Sequence, residues 1–572
     1  MRVLLLVHGF NSLSQRLFVE LREDGHEVSV EFDVSDAMTR QAVELFRPDV
    51  LIAPYLKRAI PEDVFTRLPC LVVHPGIPGD RGPSALDWAI LEREKEWGVT
   101  VLQAEAEMDA GPVWAYRRFP MRAATKSSIY RNEVADGAVE AVREALAKFS
   151  RGERPVPADT LPPPLGRARP LMRQADRRID WSRDDTATVL RKIACADGMP
   201  GVKDEIAGRT VFLHDARAAT GLSGEPGALL ARSGPAICRA TTDGAVWIGH
   251  LRVPDAENPF KLPATMALAD VAAELPEIPV DGARGYREIS LRRQGDVVFI
   301  RFEFHNGAMS TGQCARLLAA YGEAQGMGAP VIVLEGGADF WSNGMHLNMI
   351  EAAPSPADES WRNINAIDDL AEAVLRDVDH VTIAAVGGNA GAGGVFLARA
   401  CDHVWLRESV VLNPHYKDMG NLYGSEFWTY LLPRHVGGEQ ARAIPRKRLP
   451  MGAREAVRLG LADALIRGDR ARFAREAQRR AAALAADGRA LKAFLEEKRR
   501  RRARDEAQKP LADYRREELE HMRRNFYGFD PSYHVARYNF VFKVPKSRTP
   551  ITLARHRDRS PARAAAEADA TG

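Results

Sequence analysis

The chain has 572 residues, 45% apolar and 27% charged, and a formal net charge of +3. A single core stops growing near about 250–300 residues, so this length calls for three or four domains, and so small a charge gives no ground for a nucleic-acid partner. Five scattered cysteines (Cys70, Cys195, Cys238, Cys314, Cys401) form no C-x-x-C pair, which argues against a zinc ribbon or disulfide framework, implies no metal and fits a reducing cytosol.

The opening MRVLLLVHGF reads as a first strand, not a signal peptide. No apolar stretch is long enough to span a membrane, so a cytoplasmic protein without a membrane partner is expected. From residue 1 to 150, strand-like RVLLLVH, HEVSVEF and DVLIAPY alternate with helical stretches such as SQRLFVELREDG, which ends at Gly25. This βαβ rhythm predicts a parallel sheet covered by helices. Residues 151–169 are Pro-rich and read as a linker. Residues 170–275 carry short strand-like segments, GRTVFLHDARAA and GAVWIGHLRV, and predict a small β-rich domain. A second alternating region, 285–470, holds DVVFIRFEF, APVIVLEG, VTIAAVG and DHVWLRE, with helical TGQCARLLAAYGEAQ among them. The Ala-, Arg-, Glu- and Leu-rich stretch 471–572 reads as helical. Its run EEKRRRRARDE is either a solvated helix face or a contact to ligand phosphates. The whole is an α/β multidomain protein.

Two places carry chemistry. The first is CLVVHPGIPGDRGPSALDWAI, residues 70–90, where a buried-looking strand ends at His74 and a Pro-Gly turn follows. Ligands of such sheets bind beyond the carboxyl ends of the strands, where a titratable side chain can face a cleft. Asp109, in AEMDAGPVWA, stands at another strand end; a carboxylate there can orient the imidazole as a base. H-P-G-x-x-G-D-R-G and MDAGPV resemble the formyltransferases that use 10-formyltetrahydrofolate. IDWSRDDTATVLRKIACADGMPG, from Ile179, is similar to the small β domain, OB-like, that follows the catalytic domain in methionyl-tRNA formyltransferase. The resemblance covers about 1–275 and implies a Rossmann-like catalytic domain. It implies His74 and Asp109 as catalytic residues and Gly79, Asp80 and Arg81 at the substrate. The family's catalytic Asn is Val72 here. Losing such an oxyanion donor typically costs about 10²–10³ in rate. An easier acceptor would compensate, and a thiol is one, with a reference pKa near about 8.5.

The second place is the pair GGADFWSNGMHLN (336–348) and AAVGGNAGAGGVFLARACD (384–402). Each runs from an apolar strand through a small-residue turn into a helix, and two such turns side by side can aim two backbone N–H groups at one oxygen. Together with PMGAREAVRLGLADALI they resemble the crotonase (enoyl-CoA hydratase/isomerase) family over about 285–470. That implies a CoA thioester whose carbonyl accepts from the N–H groups of Asn343 and Gly393. Hydratases carry two glutamates where this chain has Phe396 and Tyr416, so water addition is not expected. The remaining acid/base candidates are Tyr416, Glu426 and His415, with His346 at the substrate where the family often has Asp.

The two halves in one chain resemble a family of maturation factors for [NiFe]-hydrogenases. The resemblance implies that the formyl carbon becomes the carbon monoxide ligand of the hydrogenase iron. In this reading the first cleft makes formyl-CoA from 10-formyltetrahydrofolate and CoA. The second releases CO and CoA, with one CoA serving both clefts, and the partners are hydrogenase maturation proteins or a hydrogenase precursor. Two alternatives stay open: a non-catalytic scaffold binding folate and CoA, and a formyltransferase acting on an amine.

Overall fold

The computed structural model describes residues 1–558. The chain forms two compact units: Met1–Arg177 joined by the described part of Pro545–Gly572, and Arg178–Val544. No helix among the described residues is long and apolar enough to cross a membrane.

The first unit is built on six strands: β1 (Arg2–Val7), β2 (Glu27–Phe32), β3 (Val50–Tyr55), β4 (Cys70–His74), β5 (Glu96–Gln103) and β6 (Val113–Pro120). Their order is β2-β1-β3-β4-β5-β6. The first four are mutually parallel, while β4/β5 and β5/β6 are antiparallel. After Arg2, VLLLV (3–7) is apolar and buried throughout because helices cover both faces of a central parallel strand.

The Pro-rich stretch is not a free linker. Arg118 donates to the carbonyls of Pro162, Pro163 and Pro164. The following residues then run beside the loop after β4: the Gly166 N–H donates to Pro78 at 2.8 Å and the Arg169 N–H to Arg81 at 2.9 Å. Proline supplies a pre-extended backbone, and Gly166 allows an approach to Asp80 that any Cβ would block.

The second unit holds the small β domain, an antiparallel sheet of β7 (Val202–Ile206), β8 (Arg209–Ala218), β9 (Leu229–Ser233), β10 (Ala236–Ala240) and β11 (Ala245–Arg252), with β12 (Leu262–Pro263) on β11. A mixed sheet follows in the order β13-β14-β15-β17-β19-β22. These strands are β13 (Ile289–Gln294), β14 (Val297–Phe302), β15 (Val331–Glu335), β17 (Val381–Val386), β19 (His403–Arg407) and β22 (Ala464–Ile466). A smaller sheet joins β16 (Phe340–Ser342), β18 (Asn389–Gly391), β20 (Val411–Asn413) and β21 (Met451–Gly452).

Helices Arg470–Ala486, Gly488–Gln508, Leu511–Tyr527 and Ser532–Val541 follow. The basic run is mostly a solvated helix face, as one of the two expectations had it, with Arg499, Arg500, Arg501 and Arg504 exposed and Lys498 the buried exception. Buried Lys498 pairs with Asp402 at 2.5 Å, Arg499 with Asp379 and Arg502 with Glu506. The expected helical region also ends early. Residues 545–558 carry only the turn Arg555–Arg557 and pack on β2, the outermost strand of the first sheet. The Val30 N–H donates to Leu553 and the Phe32 N–H to Thr549 Oγ1. Covering an edge strand satisfies its open backbone groups. The rest of that region, 559–572, lies outside the described residues.

Glu31 on β2 anchors this tail, accepting from Thr549 at 2.7 Å and pairing with His556 at 2.8 Å and Arg557 at 2.9 Å. Its side chain is fully buried. Breaking a buried pair from one side typically costs about 3–5 kcal/mol. Glu31→Ala should therefore destabilise the first unit by that order in urea unfolding and raise hydrogen exchange across β2 and 545–558; unchanged exchange there would show that the tail is held by other contacts.

Candidate functional site

His74 ends β4 and is buried. The turn after it is fixed from β5, where Trp97 Nε1 donates to the Pro75 carbonyl and Thr100 Oγ1 to that of Gly76. The imidazole lies between two carboxylates: Nε2 is 2.9 Å from Asp80 Oδ2, and Nδ1 is 3.5 Å from Asp109 Oδ1. Burial pushes the imidazole pKa down, but Asp109 and Asp80 outweigh it and hold it at about 9. The two flanking carboxylates thus favour the charged imidazolium over the neutral base that the sequence led one to expect. Burial pushes the Asp109 carboxyl up, and His74 with the Gly82 N–H brings it below the ordinary carboxylate value. Asp109 adopts a left-handed backbone, φ +58°, and is the more open of the two carboxylates.

Asp80, expected at the substrate, is 1% exposed and faces His74. Arg169, from the Pro-rich stretch, backs it with Nε at 3.3 Å from Oδ1. Neither role was visible in the sequence, because Arg169 reaches Asp80 only through the fold of the presumed linker. Arg81 is exposed and pairs with Glu107 at 2.8 Å, while Gly79 takes φ +85° in the turn. Val72 shares the β4 face of His74 by strand alternation. It packs against an apolar cluster that includes Leu51 and Ala53 and offers no donor.

In the second unit, β16 and β18 pair in parallel and bring the two small-residue turns together. Trp341 Nε1 donates to the Gly394 carbonyl and ties them. The expected donor Asn343 is corrected here: its N–H is occupied by the Gly307 carbonyl at 2.7 Å. The chain reverses at Gly344, φ +75°, where a Cβ would stand 3.5 Å from the Gly393 nitrogen. The next N–H, that of Met345, makes no hydrogen bond among the described residues, and neither does that of Gly393. These two are the free donors. Ala392, just before Gly393, is held at φ +48°, a strained conformation of the kind that collects at functional sites.

Glu426 lies directly against Gly393, where any Cβ would strike its carboxyl group. The Tyr416 hydroxyl donates to Glu426 Oε2 at 2.6 Å and sits 2.9 Å from the Ser425 carbonyl. Its ring stacks on Phe396 with centroids 5.6 Å apart. Two further buried carboxylates complete the cluster. Asp368 accepts from Ser425 Oγ at 2.7 Å and the Glu426 N–H at 2.8 Å. Glu518 accepts from the N–H groups of Phe427 and Thr429. Burial, then the charge of Asp368, pushes Glu426 up to about 8. Burial likewise raises Asp368 to about 7 and Glu518 to about 8. Sequence reading missed Asp368 and Glu518; the signal was a carboxylate on an otherwise apolar helix stripe, Ile364-Asp368-Ala371 and Leu511-Glu518-Met522.

His415 is buried with no hydrogen bond at Nδ1 and none to Tyr416 or Glu426. His346 caps helix Leu347–Glu351 through Nδ1 and stacks on His250 at 6.5 Å. Burial lowers its pKa to about 3. It thus serves a helix end and a histidine cluster.

Replacing Asp80 by Asn removes one of the two charges that keep His74 protonated. Its imidazole pKa should fall by about 1–3, read by NMR of labelled histidine; a value still near 9 would leave Asp109 alone responsible.

Comparison with known proteins fits both clefts. Residues 32–146 match the Formyl transferase family, and 171–259 match the Formyl transferase, C-terminal domain. Residues 293–524 match Enoyl-CoA hydratase/isomerase. The chain is 57% identical to hydrogenase maturation factor HoxX of Bradyrhizobium diazoefficiens over 98% of each chain. The crystal structure of HypX from Aquifex aeolicus in complex with tetrahydrofolic acid is 49% identical, with a TM-score of 0.94 over 98% of this chain and 99% of that one. Methionyl-tRNA formyltransferase of Dechloromonas aromatica is 28% identical over 231 residues, 40% of this chain and 73% of its own length.

Proposed function

The chain belongs to the family of hydrogenase maturation factors HoxX and HypX, and from that premise we propose that it makes carbon monoxide for a [NiFe]-hydrogenase in two steps. The first is formyl transfer from 10-formyltetrahydrofolate to CoA. The C–N bond of the donor breaks, a C–S bond forms, and the thiol proton ends on the folate nitrogen. Cationic His74 supports the negative charge that develops on the formyl oxygen, in place of the missing Asn amide at Val72. Asp109, the more open carboxylate, takes the thiol proton. Asp80 and Arg169 position His74.

The second step splits formyl-CoA. The N–H groups of Met345 and Gly393 receive the thioester oxygen. Glu426 removes the formyl proton, the C–S pair leaves with sulfur, and the proton passes to the thiolate. The products are CO and CoA, with no net oxidation. Tyr416 holds Glu426 in place. The observation that carries this reading is Glu426 packed against Gly393, the residue whose N–H is free: a proton acceptor stands beside the residue that offers the oxyanion donor, without the second glutamate that water addition needs.

The test mixes purified protein with 10-formyltetrahydrofolate and CoA and follows CO by its capture on reduced haemoglobin. CO should appear and require both substrates. Folate and CoA binding with no CO would favour a scaffold; a formylated amine as product would favour an ordinary formyltransferase. His74→Ala should lower formyl transfer by about 10²-fold or more while CoA stays bound. Glu426→Gln should let formyl-CoA accumulate as CO release falls by a similar factor, and undiminished CO output would remove Glu426 from the reaction.

The two clefts also differ in the protonation state they need. Glu426 works deprotonated, so CO release from supplied formyl-CoA should rise as pH climbs through about 8. His74 works protonated, so formyl transfer should fall as pH passes about 9. Rate profiles measured separately for each half-reaction check both signs.

A further inference from the structure

We infer that Asp215, His250 and His305 form a binding site for one divalent first-row transition-metal ion. Asp215 lies on β8, His250 on β11, and His305 just after β14, so the small β domain and the crotonase-like domain both contribute. One ligand atom from each lies within 4.8 Å of the others. Asp215 Oδ2 is 2.9 Å from His250 Nδ1 and 3.6 Å from His305 Nδ1. Ligands at about 2.0–2.2 Å from one shared ion stand roughly 3.0–3.5 Å apart; the two carboxylate–imidazole spacings are close to that, and the three atoms, within 4.8 Å of one another, would draw in around the ion. The two imidazoles stack with centroids 4.2 Å apart and 27° between planes, which sets them side by side against one carboxylate oxygen.

A plain hydrogen-bond network does not account for His305. Its Nδ1 is too far from Asp215 for a hydrogen bond, and its Nε2 is buried with no partner. The carboxylate is held as a metal ligand's usually is. The Tyr286 hydroxyl donates to Oδ2 at 2.6 Å, and Arg217 stands 3.7 Å from Oδ1. Asp215 adopts φ +56°, and Gly249 leaves the space that Asp215 and Tyr286 fill. Arg217 and Lys261 are the cations nearby, and both oppose a weakly held ion. Two imidazoles and one carboxylate suit zinc, iron, cobalt or nickel and not magnesium or calcium.

The cluster adjoins the second cleft. His250 stacks on His346, which follows Met345, and His305 lies two residues before Gly307, whose carbonyl holds the Asn343 N–H. An ion here would brace the turn that presents the Met345 N–H.

The experiment uses full-length protein, stripped by chelator, dialysed and titrated with Co²⁺ by calorimetry and visible absorption. We expect one Co²⁺ per chain, with ligand-field bands that Zn²⁺ bleaches by displacement. His250→Ala and His305→Ala, each checked for native circular dichroism, should weaken binding by at least about 10-fold. In the unmodified protein, Co²⁺ should broaden the imidazole resonances of His250 and His305 before those of other histidines, a readout that needs no variant. No stoichiometric binding, unchanged affinity in folded His305→Ala, or broadening elsewhere first would overturn the assignment.

Discussion

A histidine carried on a buried strand must either lose its charge or be met by one of opposite sign, because an unpaired charge out of water is prohibitively costly. His74 is met twice, by Asp80 and by Asp109. Asp80 is in turn backed by Arg169, which pairs with Glu92 as well. The first site is thus an alternating chain of charges, cation between anions, anchored in a stretch of chain some ninety residues away. The catalytic reading depends on this arrangement. It converts a group that would titrate near neutrality into a fixed cation, suited to a developing oxyanion and unsuited to accepting a proton.

The second cleft uses the opposite device. Asp368, Glu426 and Glu518 are gathered in the interior, with Arg515 the nearest cation to Asp368 at 3.8 Å. Like charges crowded in low dielectric cannot all ionise. The group shares protons, and burial with the charge of Asp368 raises Glu426 to about 8, well above the usual carboxylate value. Backbone N–H and hydroxyl groups from Ser425 to Thr429 hold the other two in place. A carboxylate balanced in this way can both take a proton and return it. One site fixes charge by pairing and the other makes it labile by crowding, which suits the two different demands of the acyl transfer and C–H removal proposed for them.

The first unit relies on segments distant in sequence. Residues 165–170 complete the support of Asp80, and residues 545–558 cover the edge of the first sheet from the far end of the chain. Such long-range closures explain why simple division of the chain into consecutive regions misplaces its last described residues.

The sequence by itself determined the alternation of strands and helices, the strand end carrying His74, the position of Asp109, and the pair of small-residue turns ahead of Gly393. These are local signals: an apolar run, a Pro-Gly turn and a strand-to-helix glycine each write their conformation into neighbouring residues. Tertiary structure alone decided which N–H groups are free, because Asn343 loses its donor to Gly307, a residue on another segment, and Met345 keeps its own. It alone brought Asp80 and Asp109 to either side of His74, favouring its charged form, and it alone joined Asp215, His250 and His305. Periodicity reports which face of an element is buried. It carries no record of what that face meets, and protonation, hydrogen-bond occupancy and metal affinity are all set by that meeting.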